Sequence, residues 1–591
     1  MISYNMSEWI QQMDTVVFFF LNRECQNWLF DLIMPVFSHR MNIIVIPFLL
    51  LFLIKEKKGA IVVFVISFFS ILLADGTTHA LKEMIGRARP CNSLQNVHLL
   101  VGCSQSFSLP SGHATNSFAF AVPFLLMTRD RLRYVFLGIA VFVSLSRIFV
   151  GVHYPSDVIV GAMVGIFSSL AVMSLYRRVE MRFREKPYTT VMYVFLMVIS
   201  IFRVYYILYG PLDLSPDEAH YWEWSRRLDL SYYSKGPMIA YLIALSTSLF
   251  GDNVLGVRFL AVIFSALSSI ILYKLGKEMY HDNVGTASAL LLQLIPLYST
   301  FGVIFTIDSP FIFFWIVSLY LFWKAAGQEP SGHSLTRYWL LLGVSVGFGL
   351  LTKYTMAFFC ICAFLFLMLS SDKKVLLKTV SPYLALAISV LIFSPVVIWN
   401  AGHDWVTFRH TAGQAHLADG VRISLKSLAE FIGSQLGVVT PILFVLIIVA
   451  LWRVQGKGRR EFLLWFSFPV IVFFVAKSVQ GKVQANWAMT GYITGLVAFS
   501  EAYIHKWKAQ RPLLKKITIA GIALSFVVAA VAHYPSKFHI PVGLDPSSRL
   551  RGWKDLGRQV SDFRDEIPEG EKAFIFSDSY QISSELAFYG R

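Results

Sequence analysis

The sequence predicts an all-α polytopic membrane protein built from two membrane domains, and three observations carry that expectation. Of 591 residues, 56% are hydrophobic and only 15% charged, against about 25% charged in soluble domains. Apolar runs recur along the whole chain, among them 61–76, 194–210 and 516–532; about 20 such residues cross a hydrocarbon core as one helix. Basic residues gather in short clusters between those runs, at 55–58, 129–133, 177–178, 372–374, 456–460 and 506–516.

The net charge of +16 would suggest nucleic acid in a soluble chain. Here its spacing follows the positive-inside pattern of membrane proteins. With the basic clusters in the cytoplasm, alternate counting gives roughly six spans before residue 185 and roughly eleven after it. The stretches left on the outer face are 81–110, 150–157, 210–253, 400–428, 478–485 and everything after 535. The expected order is a membrane domain over 1–180, a basic cytoplasmic linker over 181–187, a second membrane domain over 188–535 and an outer segment over 536–591. That segment reads as helix, Pro-Glu-Gly-Glu turn, strand over 573–577 and helix. Such a small α/β piece is too short for an independent core and is expected to pack on the membrane domain. The N-terminus shows neither a charged leader nor a small-residue cleavage site, so no removable signal peptide is expected.

Three polar islands interrupt the first domain: "KEMIGRARP" (82–90), "PSGH" (110–113) and "SRIFVGVHYPSD" (146–157). Charges at membrane depth cost about 2.5–3.5 kcal/mol each on insertion scales, so they mark sites. Lys82, Arg89 and Arg147 have no obvious acidic partners beyond Glu83 and Asp157. Brought together, they make a strong anion site, because guanidinium groups match phosphate oxygens in pairs. Ser111 and Gly112 open a helix after Pro110, aiming free backbone N–H groups at an anion, with His113 on the first turn. Pro155 starts the next helix, and Asp157 in its first turn can hold one nitrogen of His153, leaving the other as a nucleophile. Gly161 and Gly165 allow that helix a close approach to its neighbour. Cys91 and Cys103 share one outer loop and are candidates for a disulfide, which would close a short loop worth about 3 kcal/mol. Cys360 and Cys362 sit in an apolar run as buried thiols.

These islands resemble the three-part signature of the type 2 phosphatidic acid phosphatase superfamily. Lys82, Arg89 and Pro90 meet its first part, residues 110–113 its second, and Ser146, Arg147, His153 and Asp157 its third. The resemblance covers roughly residues 15–178 and implies a six-helix lipid phosphatase that needs no metal. It further implies that His153 forms a phosphohistidine supported by Asp157 and that His113 protonates the leaving alkoxide. Lys82, Arg89, Ser111, Gly112 and Arg147 would hold the phosphoryl oxygens.

The second domain carries islands of its own. The outer loop 214–238 holds adjacent acids Asp217 and Glu218, interfacial aromatics, and a Lys235-Gly-Pro turn. An acid there can deprotonate a hydroxyl, and a lysine can hold a lipid-linked phosphate. Asp308 and Lys353 each fall between apolar runs, "WNAGHDWVTFRH" (399–410) opens a long loop, and "GKVQANWAM" (481–489) lies in the next. Together these resemble the large-loop glycosyltransferases that use polyprenyl-phosphate sugars, the family 39 group and the aminoarabinose transferases of lipid A. The resemblance carries over Asp217 as the base that takes the acceptor's proton. Lys235 would steady the departing lipid phosphate, and Glu218, Asp308, Lys353 and His403 would contact donor or acceptor; Trp399, Asn400, Asp404 and Trp405 also match. It implies a roughly eleven-helix domain working by single-displacement inversion. Ser234 stands where the aminoarabinose transferases carry an acid, which leaves a divalent metal there open.

The sequence thus predicts a bifunctional enzyme of a bacterial inner membrane with both sites facing the periplasm. It would remove a phosphate from a lipid, with lipid A the natural candidate, and transfer a sugar from a polyprenyl-phosphate donor to a lipid acceptor. Its partners are membrane lipids and not nucleic acid. An undecaprenyl pyrophosphate phosphatase fused to a protein O-mannosyltransferase-like enzyme is the alternative reading. A lipid transporter would account for intramembrane charge but not for three phosphatase islands in order, and no internal repeat of the transporter kind is visible.

Overall fold

Helices carry the regular structure, as they must where a bilayer offers the backbone no hydrogen-bonding partner. The computed structural model describes residues 6–56, 58–327, 333–414, 423–538, 545 and 547–590; parts of the loop 400–428 and of the segment 536–591 lie outside these. Among the described residues, nine helices are long and apolar enough to cross a membrane, or eleven if each of two bent pairs counts as one crossing. Shorter apolar helices such as Met238–Phe250 add to them. The chain divides into two units, Met1–Lys186 and Pro187–Arg591.

The first unit runs through Met6–Phe19, the pair Trp28–His39 and Met41–Glu56, then Lys58–Ile85, Gly112–Met127, Leu132–Phe149 and Pro155–Glu185. Its core is aromatic and small: Phe52, Ala60, Val63, Ala121, Phe124, Phe136 and Ala140 pack together, with the Phe124 and Phe136 rings 4.4 Å apart. On the other side of Lys58–Ile85, Phe68, Phe69 and Leu72 stand exposed, an apolar face suited to lipid. One contact positions the polar islands. Gly161, Gly165 and Ser169 form a stripe of small residues, one per turn, on Pro155–Glu185. A Cβ at Gly161 would sit 2.6 Å from the Ser111 carbonyl oxygen, and one at Gly165 would run into the Thr115 carbonyl. Ser169 donates to Ala119 O at 3.0 Å. The stripe therefore lets two helix backbones touch, and it brings the "PSGH" helix start beside the "HYPSD" helix start. The loop between Arg89 and Pro110 is closed by a disulfide joining Cys91 and Cys103.

In the second unit the centre is Thr490–Phe499, all ten residues of which are buried; a helix apolar all round belongs in a core. Trp315, Trp339, Phe359, Phe462 and Tyr492 pack in the same cluster. Asp308 opens the helix Asp308–Gly327, and Lys353 occupies the break between His333–Thr352 and the turn Tyr354–Met356. Both charges thus sit at helix ends.

The C-terminal segment corrects one expectation. Helices form at Trp553–Glu566 and Tyr580–Tyr589, but 573–577 has no regular structure, and no strand forms among the described residues. A strand needs a partner for its N–H and C=O groups, and none lies alongside; Phe574 and Phe576 are 83% and 78% exposed. The described part of the segment has helices as its regular structure, and it docks by one backbone bond, from Asp213 N–H to Leu550 O at 2.8 Å, and by side chains. Asp213 Oδ2 accepts from Trp553 N at 2.9 Å, capping that helix. The Trp222 and Phe588 rings meet edge-on at 5.0 Å, and Tyr589 OH receives Leu214 N–H at 2.8 Å.

Candidate active sites

In the first unit, each polar island is a helix end, and two of the three, 110–113 and 146–157, leave polar atoms unspent. Ser111 is the N-cap of Gly112–Met127, yet its side chain makes no capping hydrogen bond. Its Oγ is buried without a partner, as are Arg147 Nε and Thr78 Oγ1. Buried polar groups are nearly always satisfied, so orphans gathered at a helix N-terminus describe a place for an anion. Arg147, Arg89 and Lys82 all act electrostatically on His113, and Lys82 shares its field with Arg89, Arg147 and Asp157. His113 itself is exposed to solvent on the first turn of its helix. The structure thus brings Lys82, Arg89, Ser111, Gly112, His113, Arg147, His153 and Asp157 to one site.

His153 is oriented by what lies on each side of its ring. Nδ1 faces acid, with Asp157 Oδ2 at 3.4 Å and Ser108 Oγ at 3.3 Å. Nε2 faces cation, 3.1 Å from Arg89 Nη1. Asp157 is held by its own helix start, its Oδ2 accepting Tyr154 N–H at 2.9 Å as a residue three places into the helix can. Burial pushes the His153 imidazole well below the usual histidine range, outweighing the pull of Asp157, so the ring is neutral near pH 7 and Nε2 keeps a lone pair.

Three residues here escaped the sequence reading. Arg87, two places before Arg89, donates to Asp157 Oδ1 at 2.8 Å and to Asp14 Oδ2 at 2.6 Å, and its guanidinium lies 4.1 Å from the Tyr154 ring centroid. It is a counter-ion for the carboxylates rather than a phosphate ligand. Asp14 also receives Ser156 N–H at 2.8 Å, pinning the first helix to the site from 142 residues away. Arg89 is occupied too: Nε donates to Ser106 O at 2.7 Å and Nη2 to Ser106 Oγ at 2.9 Å. Ser108 is taken up below. An extra arginine beside a motif arginine is the one signal that was available.

In the second unit, Ser215-Pro216-Asp217-Glu218 starts the helix Pro216–Ser225 with a reciprocal cap: Ser215 Oγ accepts Glu218 N–H at 3.2 Å, and Glu218 Oε2 accepts Ser215 N–H at 2.9 Å. That cap decides the two acids' roles. Glu218 is fully buried; Arg258 donates to its oxygens at 2.9 and 2.8 Å and Phe305 N–H at 2.8 Å. Its lone pairs are spent on the protein, which corrects the expectation that it contacts donor or acceptor. Asp217, one place earlier on the helix, stays exposed to solvent. Lys235, Asp308 and Glu218 are its charged neighbours, and Lys353 joins Lys235. Asp308 is tied on both oxygens, by Lys353 Nζ at 2.6 Å and Asn486 Nδ2 at 2.7 Å. Solvent reaches Asp217, but the protein crowded around its carboxyl partly desolvates it and raises it above the usual range, against the pull of Lys235. Burial and Lys353 together lower Lys235.

His403 is not brought to this group. Its ring stacks on Trp399 at 3.8 Å and its Nδ1 lies 2.7 Å from Trp399 O, so it stays on its own turn. His410, seven residues on, is the histidine beside Lys235, which with burial lowers its imidazole; it packs on Tyr233 at 4.9 Å. The turn between them holds Asp404 and Trp405 at φ of 53° and 56°, and Thr407 Oγ1 fastens the loop to Tyr232 O at 2.9 Å.

Residues 63–181 match the PAP2 superfamily, and residues 234–399 match the family described as dolichyl-phosphate-mannose-protein mannosyltransferase. A lipid A galacturonosyltransferase, RgtD, of Rhizobium johnstonii is 30% identical over 367 residues, 61% of this chain and 75% of the relative. The chain belongs to that glycosyltransferase's family. It carries in addition a PAP2 domain, for which a lipid A 1-phosphatase of the same organism is 35% identical over 124 residues, 20% of this chain and 50% of the relative. An undecaprenyl phosphate-α-4-amino-4-deoxy-L-arabinose arabinosyl transferase of Wigglesworthia glossinidia brevipalpis is 30% identical over 175 residues, 26% of this chain and 30% of the relative. The chain thus spans about half the phosphatase and under a third of the arabinosyl transferase.

Proposed function

We propose that this chain is a bifunctional lipid A-modifying enzyme of a bacterial inner membrane, its two sites open to the periplasm. One site removes a phosphate, and the other transfers a sugar from a polyprenyl-phosphate donor. The observation that carries the hydrolase half is the two-sided environment of His153, with acid at Nδ1 and cation at Nε2. A phosphate drawn to Arg89, Arg147, Lys82, the unpartnered Ser111 hydroxyl and the Gly112 N–H would lie against the Nε2 lone pair. Nε2 then bonds to phosphorus as the ester oxygen departs with a proton from His113. Water attacks the phosphohistidine in turn, releasing orthophosphate. This route draws its charge stabilisation from arginine and lysine and calls on no metal.

In the transferase half, Asp217 takes the proton of an acceptor hydroxyl, and that oxygen attacks the sugar carbon opposite the departing phosphate. Lys235 and Lys353 balance the charge on the leaving polyprenyl phosphate, while Asp308, itself held by Asn486, keeps Lys353 in place. Lipid A as the shared substrate is supported by the two relatives, one for each half, that are both named for it. A phosphatase acting on the released polyprenyl phosphate would destroy a carrier the cell reuses. Dephosphorylation of the acceptor is therefore the better role, exposing the hydroxyl that the transferase glycosylates. Mass spectrometry of lipid A from cells expressing the chain tests this. One phosphate fewer and one sugar more is expected; unchanged lipid A contradicts it.

A further inference from the structure

We propose that Ser108 is a positioning residue for the phosphatase nucleophile, a hydroxyl bridge through which Asp157 fixes the tautomer and aim of His153. This rests on the phosphatase reading above. Ser108 lies outside the three islands, two residues before Pro110, and is 0% exposed. Its backbone is anchored by donation to Arg87 O at 2.8 Å, so one residue, Arg87, braces both ends of the bridge. Its Oγ donates to Asp157 Oδ2 at 2.5 Å and stands 3.3 Å from His153 Nδ1.

The direct approach of His153 Nδ1 to Asp157 Oδ2 is 3.4 Å, outside the usual N–H···O range of about 2.7–3.2 Å. The carboxylate is otherwise engaged, with Tyr154 N–H on Oδ2 and Arg87 on Oδ1. A hydroxyl has one proton to give, and Ser108 gives it to the carboxylate, the stronger acceptor. Its lone pair is what remains for the ring. Nδ1 must then carry the imidazole proton, and Nε2 keeps its electron pair on the side of Arg89. The ring contact is long in the substrate-free site, as catalytic hydrogen bonds often are. When Nε2 bonds to phosphorus and the protonated alkoxide leaves, Nδ1–H is retained. The ring's new positive charge is then shared with Asp157 through Ser108.

A double-variant cycle tests the bridge, with lipid A in detergent micelles as substrate and orthophosphate as readout. For the full-length chain, Ser108→Ala is expected to lower kcat by about 10–100-fold, the size of effect seen when an orienting partner is removed, at unchanged KM. In an Asp157→Asn background the same change is expected to cost nothing further, because the bridge has already lost its acid end. A folding defect would instead multiply with the Asp157→Asn loss. A Ser108→Ala rate within about twofold of the unaltered chain, a change confined to KM, or multiplicative losses would overturn the proposal. Failure of the unaltered chain to release phosphate would overturn the phosphatase reading itself, and this inference with it.

Discussion

The two halves assemble their charge in opposite ways. In the first unit, cations outnumber acids at the site, and its acids, Asp14 and Asp157, are spent on Arg87 and on orienting His153. What remains is an anion site with orphaned donors, Ser111 Oγ and Arg147 Nε. In the second unit the charges nearly cancel. Asp308 is bound by Lys353 and Asn486, and Asp217 faces Lys235. The difference follows from the substrates proposed for them. A phosphoryl group brings its own negative charge into a cationic hole, whereas sugar transfer needs a base and a leaving-group clamp side by side, each perturbing the other.

The sharpest way to separate the halves is His153→Ala. It should abolish phosphate release while leaving sugar transfer intact on acceptor lipid that has already lost its phosphate. Transfer to phosphorylated acceptor should fall with it if the two steps run in sequence, and product analysis on the two acceptors checks both statements. Next in size, Asp217→Asn should lower transfer by about 10²–10⁴-fold, the usual worth of a general base, with phosphate release unchanged. Arg258→Met leaves the buried Glu218 carboxylate without its partner. A cost of about 3–5 kcal/mol is expected, read as a drop in the thermal stability of the purified chain. Gly165→Ala presses a methyl into the Thr115 carbonyl and should cost about 1–3 kcal/mol as strain. Its rate loss should be confined to phosphate release, since it parts the two helix starts of that site.

The pH profiles should differ in sign as well as position. Asp217 works as a base only when ionised, and its carboxyl is raised, so transfer should fail on acidification at a higher pH than a fully hydrated aspartate would allow. Lys235 holds phosphate only when protonated, and its amine is lowered, so transfer should also weaken earlier on the alkaline side. His153 attacks only when neutral, and its imidazole is lowered. Nucleophile protonation should therefore spare phosphate release down through the usual histidine range.

The first site was legible because its chemistry is local. Helix starts such as Pro-Ser-Gly-His and Tyr-Pro-Ser-Asp place their own side chains, and small residues at 161 and 165 announce a close helix contact. What joins distant segments was not legible. Asp14 reaches Arg87 across 73 residues and Glu218 reaches Arg258 across 40, and nothing in either stretch names its partner. For the same reason the adjacent acids Asp217 and Glu218 looked alike until the cap turned one inward. His403 and His410 were separated only by the turn at Asp404 and Trp405. The stretch 573–577 has the residues of a strand but no neighbour to pair with.

Covalent capture of the intermediate tests the central claim most directly. The purified chain, mixed with a lipid whose phosphate is labelled and quenched rapidly in base, should carry acid-labile label on His153 and none in the His153→Ala variant. Phosphate release proceeding with no labelled histidine, or with label on another residue, would contradict the account.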